Sequence, residues 1–186
     1  MRIGAISDTH GSLTAWNKAL AVLGKVDILL HAGDVLYHGP RNPLPDGHDA
    51  KGLAEAINTY GGRLLIARGN CDADIDQLVL DVPIQAPYVL AVVEGRCILV
   101  HHGHLIAGED LAGLMRRYRL DLVVAGHTHI PGIERPFGNE GGLILNPGSP
   151  ALSKARDRRG TVAIIEDHIV RILYADNGAQ LASCPW

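Results

Sequence analysis

Residues 2–34 read RIGAISDTHGSLTAWNKALAVLGKVDILLHAGD, and the order of patterns inside this stretch decides the fold. RIGAIS and VDILLH are short, nearly continuous apolar runs, the pattern of strands buried on both faces. Between them Leu13, Trp16, Leu20 and Leu23 recur at helical spacing, with Ser12 placed to cap the first turn and Gly24 to end the helix. Strand, helix, strand with apolar strands is the signature of a parallel α/β unit. Each run also ends in polar groups: RIGAIS leads into Asp8-Thr9-His10, and DILLHAG into Asp34.

The alternation continues along the chain. A helical pattern from about Ala50 to Tyr60 precedes RLLIARG, and YVLAVVEG and RCILVH meet around Glu94-Gly95 as a hairpin. After a helix expected from about Glu109 to Arg119 come DLVVAGH, GLILNPG, TVAIIED and HIVRILYA, the last two forming a second hairpin at Glu166-Asp167-His168. This mixture predicts one domain, 1–186, with two sheets packed face to face and helices outside. HGPRNPLPDGH at 38–48 and PFGNEGG at 136–142 read as loops.

Composition narrows the function. The chain has 186 residues, 47% hydrophobic and 20% charged, the profile of an ordinary globular domain. Seventeen basic against twenty acidic residues give a net charge of -3, so no long nucleic acid is expected as a partner. No apolar run approaches the roughly 20 residues of a membrane span, and a cytoplasmic location is expected. Cys71, Cys97 and Cys184 form no CxxC pair and read as free thiols. The unusual feature is ten histidines, three of them in VHHGHL at 100–105.

Those histidines fall where strands end. Asp8, His10, Asp34, Asn70, the cluster His101-His102-His104, the pair His127 and His129, and Asn146 each follow an apolar run. In α/β sheets the carboxyl ends of strands open onto the ligand crevice, so these groups converge on one site. Carboxylate, amide and imidazole without thiolate suit a borderline divalent metal. One tetrahedral ion takes three or four protein ligands, so Asp8, His10, Asp34, Asn70, His127, His129 and one histidine of 101–104 point to two metals sharing Asp34.

The ordered motifs Asp8-x-His10, Gly33-Asp34, Gly69-Asn70, His102-Gly103-His104 and Gly126-His127-Thr128-His129 resemble the calcineurin-like metallophosphoesterase superfamily. SDTHGS, AGDVLYHGPRNPLP, RGNCDADIDQ and GHTHIP followed by NPGS resemble its bacterial YfcE-type phosphodiesterases, over Met1 to about Asp167. The resemblance implies a four-layer αββα sandwich, one metal on Asp8, His10 and His129, a second on Asn70, His102 and His127, and Asp34 between them. It implies hydrolysis of phosphate esters by a metal-activated hydroxide, and relatives suggest a homo-oligomer. Manganese is the first expectation for the two divalent ions, with iron, nickel or zinc also suited to such ligands.

A small phosphodiester is the expected substrate. Two divalent ions bring four positive charges against the two carboxylates Asp8 and Asp34; a bridging hydroxide and a monoanionic diester would remove the other two. Cys71 stands where many superfamily members carry a histidine that protonates the leaving oxygen, which directs attention to His104 as the catalytic partner of substrate. Arg41 and Asn42 are candidate substrate-binding residues, Asp72 a residue that orients a ligand, and His31 and His101 packing residues. A catalytically weak protein-binding scaffold of the same fold, as in a retromer subunit, and a nuclease for short or cyclic nucleotides are the competing readings.

Overall fold

The computed structural model describes residues 1–138 and 141–186; residues 139–140 of the expected 136–142 loop lie outside the described residues. The parallel unit of residues 2–34 is present. β1 (Ile3–Ile6) and β2 (Ile28–His31) are buried throughout and run parallel, Ile3 opposite Ile28 and Ile6 opposite His31. Between them lies α1 (Leu13–Leu23), whose first turn is capped by the Ser12 side chain accepting from the Ala15 N–H and which ends at Gly24.

α2 (Ala50–Asn58) leads to β3 (Arg63–Ala67), and the four-residue α3 (Asp76–Val79) to β4 (Ile84–Gln85), both strands continuing the parallel run. The second sheet starts with the hairpin of β5 (Val89–Val93) and β6 (Arg96–His101), turned by Glu94 and Gly95 at φ 50° and 79°, the left-handed pair a two-residue hairpin requires. α4 (Gly108–Tyr118) then crosses to β7 (Leu122–Ala125), parallel to β6. β8 (Gly132–Glu134) pairs antiparallel with β9 (Leu143–Asn146), which is parallel to β7. Finally β10 (Thr161–Glu166), β11 (Ile169–Tyr174) and β12 (Gln180–Pro185) add antiparallel strands beside β1.

Among the described residues the result is a seven-stranded sheet, β12-β11-β10-β1-β2-β3-β4, and a five-stranded sheet, β5-β6-β7-β9-β8. Ala5, Leu30 and Ala67 of the first meet Ile98, Val100, Leu122 and Val124 of the second in the inner core. Outside the first sheet Trp16 and Leu23 of α1 pack with Leu53 and Ile57 of α2; outside the second, Leu111 and Met115 of α4 cover Leu99 and Val123. This is the expected αββα sandwich. No described helix is long and apolar enough to cross a membrane. The inner core sets the spacing of the sheets, so Leu122→Ala, at a side chain with no exposure, should cost about 2–5 kcal/mol in urea unfolding. Val92→Ala, 72% exposed on an edge strand, should fall within about 0.5 kcal/mol of wild type.

Candidate metal centre

The carboxyl ends of the parallel strands of both sheets meet at one edge of the sandwich. Asp8 and His10 follow β1, Asp34 follows β2, Asn70 follows β3, His102 follows β6 and His127 follows β7. Cross-sheet hydrogen bonds tie these ends together: the His127 N–H donates to Asp8 Oδ2 at 3.0 Å, and the Ser149 hydroxyl donates to the Asp8 carbonyl at 2.7 Å. The approach is close. A Cβ on Gly69 would collide with Asp34 Oδ1, and one on Gly126 with Ser7 Oγ.

The backbone here is bent into an unfavourable region. Asp8, His10, Asp34, His127 and His129 have φ of 56°, 48°, 58°, 72° and 59°, left-handed values rare for residues with a side chain. Each such residue costs on the order of 1–3 kcal/mol and persists only where surrounding structure enforces it, which happens mostly at functional sites. The strain turns both members of Asp8-x-His10 and of His127-x-His129 toward the same edge.

Hydrogen bonding fixes what these side chains present. His10 Nδ1 lies 2.8 Å from the Tyr37 carbonyl, His129 Nδ1 2.6 Å from that of Leu152, and His102 Nδ1 2.8 Å from that of Ala32. A carbonyl only accepts, so each Nδ1 carries the hydrogen, and in the neutral imidazole each Nε2 is left as a bare lone pair. Those lone pairs face other acceptors. His10 Nε2 stands 3.1 Å from His129 Nε2, which stands 3.2 Å from Asp8 Oδ1; His102 Nε2 stands 3.3 Å from Asp34 Oδ2 and 3.0 Å from Asn70 Oδ1.

The carboxylates are divided in the same way. Asp8 Oδ2 accepts from Ser7 Oγ and the His127 N–H, while the buried Oδ1 has no hydrogen-bond partner. Asp34 Oδ1 accepts from the Cys71 N–H at 2.7 Å, leaving Oδ2 toward His102 at 3.3 Å and His10 at 3.8 Å. Asp8, His10 and His129 form one compact group of candidate ligands, Asp8, Asp34 and His102 a second, and His10, Asp34 and Cys71 a third. Protonating one imidazole relieves one such contact and leaves the rest; divalent cations relieve all of them. The donor set therefore fits metal, with Asp8 shared by the first two groups and Asp34 by the last two.

The titration behaviour follows from the same crowding. Burial alone would raise Asp8, but the close ring nitrogens of His10 and His129 and the nearby His102 hold its carboxyl well below the usual carboxylate range. Burial pulls His10 and His102 down, yet contacts with Asp8 and Asp34 leave both raised. His31 is the contrast. Its Nε2 donates to Thr9 Oγ1, whose own hydrogen goes to the Val35 carbonyl, and its Nδ1 accepts from the Gly33 N–H. Satisfied and fully buried, it is lowered to about 4 and stays a neutral packing residue, as expected.

Other candidates surround this centre. His127 stands half-buried with its ring 5.1 Å from that of His102, beside the three compact groups rather than within them. His104 is exposed, 5.3 Å ring to ring from His102, and is lowered by partial burial and by His102 and His127. His101 is buried and lowered to about 4, chiefly by burial. Asp72 accepts from the N–H groups of Asp34, Val35 and Gly69, clamping the Asp34 turn. The Cys71 thiol is pushed up to about 12 by burial and by Asp34, Asp72 and Asp8, a poor proton donor. A cleft of about 760 Å³ is lined by Asp34, Asn70, His127 and His129 together with Arg41 and Asn42. Lys154 lines it too, a residue no motif singles out, brought in when its N–H donates to the His129 carbonyl.

Comparison with known proteins shows the family and the fold. Phosphodiesterase YfcE of Escherichia coli is 38% identical over 157 residues, 83% of this chain and 82% of that protein. A solved structure of the Escherichia coli phosphoesterase Yfce superposes with a TM-score of 0.86 at 30% identity, covering 100% of this chain and 99% of that one. Vacuolar Protein Sorting 29 of Cryptosporidium parvum shares the fold at a TM-score of 0.68 and 19% identity, covering 100% of this chain and 97% of that one. The pattern of the calcineurin-like phosphoesterase superfamily domain matches residues 1–168, and the chain belongs to that family.

Proposed function

We propose that this chain hydrolyses small phosphodiesters at a two-metal centre, with manganese the first expectation and iron, nickel or zinc also accepted by its ligands. The observation that carries this reading is the set of opposed lone pairs on His10, His129, His102, Asp8 and Asp34, each locked by a hydrogen bond on its other atom. Asp8, His10 and His129 would hold one ion, Asn70, His102 and His127 the other, and Asp34 both. Bound there, the ions would supply an activated water and Lewis-acid stabilisation of phosphoryl charge.

The chain's own groups do the rest. The Tyr37, Leu152 and Ala32 carbonyls hold three imidazoles in the tautomer that exposes Nε2. Arg41 and Asn42, on the rim of the cleft, meet the non-reacting part of the phosphate, a guanidinium fork matching phosphate oxygens. His104 stands 6.2 Å ring to ring from His127, which lines that cleft, and serves the substrate phosphate or its leaving oxygen, a task the raised Cys71 thiol does not suit. With only two carboxylates against four metal charges, a monoanionic diester balances the centre better than a dianionic monoester. The 38% identity to a phosphodiesterase supports the same choice, and a cytoplasmic enzyme is the matching setting.

Three measurements test this. With manganese, bis-p-nitrophenyl phosphate should turn over faster than p-nitrophenyl phosphate; the reverse order would overturn the diester reading, and metal binding without turnover would favour the scaffold. His102→Ala should lose metal by elemental analysis, whereas His104→Ala should keep it and lose about 10²-fold or more in kcat. Metal loss from His104→Ala instead would reverse these assignments. Arg41→Ala should raise KM roughly tenfold at unchanged metal content, and an unchanged KM would make that loop structural.

A further inference from the structure

A second cavity, of about 700 Å³, lies beside Arg96 and Asp121, where β6 and β7 begin. The metal ligands His102 and His127 follow the other ends of these strands, so the two sites are separated by the length of β7 and its flanks, on the order of 20 Å. The cavity is lined by Arg96, Arg116, Arg119 and Arg135 together with Phe137 and Trp186. Phe137 is the single phenylalanine of the chain.

Charge in this cavity is mainly positive among the described residues, four arginines against Asp121. Among the described residues, none of the four arginines makes an ion pair with a carboxylate. Asp121, the acidic residue on the wall, is engaged elsewhere: its Oδ2 accepts from the Cys97 N–H at 2.7 Å. Arg135 donates to the Pro185 carbonyl and to Cys184 Sγ, and Arg96 stacks 4.2 Å over the Trp186 ring, so these two hold β12 and the residue after it against the five-stranded sheet. The guanidinium groups of Arg116 and Arg119 have no hydrogen-bond partner among the described residues, Arg116 lying 5.3 Å from the Phe137 ring centre.

Arg119 occupies a position that helix geometry assigns to glycine. It ends α4 at φ 49° and ψ 52°, the left-handed conformation that glycine adopts freely and arginine does not. Arginine at this position adds a second unpaired basic residue to the cavity wall.

We propose that this cavity binds a small aromatic organic anion of the nucleoside monophosphate class, at a site separate from the metal centre. Arg116 and Arg119 meet the phosphate, to which the planar guanidinium fork is matched. Phe137 and Trp186 supply aromatic surface for a base, the Trp186 ring with one face already taken by Arg96. The cavity volume falls in the range of small-molecule sites.

The test is calorimetric titration of AMP into the whole chain stripped of metal, with inorganic phosphate as a second probe. AMP should bind, more tightly than phosphate, and His102→Ala should leave that binding unchanged. Arg116→Gln and Arg119→Gly should each weaken it roughly tenfold or more. Arg119→Gly restores the residue preferred at that backbone angle, so its melting temperature should not fall, which separates lost binding from lost folding. Absence of binding, phosphate binding as tight as AMP, or AMP binding that survives both arginine variants but is lost in His102→Ala would overturn the proposal.

Discussion

The structure depends on a single electrostatic constraint: several hydrogen-bond acceptors are buried facing one another. Three backbone carbonyls hold the hydrogens of His10, His102 and His129 on Nδ1, and backbone and hydroxyl donors occupy one oxygen of each carboxylate, so the free lone pairs point inward. Acceptors buried in this way repel unless a cation lies among them. The family to which the chain belongs uses divalent metals, and its Asp and His groups are placed to bind them.

That constraint explains features which otherwise look costly. Five residues in the left-handed region aim their side chains at the centre, and Gly69 and Gly126 allow neighbouring strand ends to touch. The centre also straddles the sandwich: Asp8, His10, Asp34 and Asn70 come from the seven-stranded sheet, His102 and His127 from the five-stranded one. Their separation is set by the apolar layer between the sheets, so packing at Leu122 or Val124 bears on the geometry of the site through the spacing it maintains.

Much of this was legible in the sequence, for local reasons. Apolar runs four to six residues long ending in Asp, Asn or His announce buried strands with polar ends, and both hairpins lay where Glu94-Gly95 and Asp167-His168 take positive φ. What stayed hidden is non-local. The carbonyls of Tyr37, Leu152 and Ala32 that set the tautomers lie 27, 23 and 70 residues from the histidines they hold, and Lys154, on the cleft wall, is held by a backbone hydrogen bond to His129. The short β4, β8 and α3 carry too few residues to show a period. β12, QLASCP, lies at the edge of its sheet with no fully buried position, so it lacks the apolar signal of the central strands.

The central claim is that these opposed lone pairs hold two metal ions with one carboxylate between them. Anomalous diffraction from crystals soaked in manganese tests it most directly. The account predicts two peaks about 3.5–4 Å apart, one beside Asp8, His10 and His129, one beside Asn70, His102 and His127, with the Asp34 carboxylate contacting both. A single peak, or two peaks with Asp34 turned away from either, would contradict it.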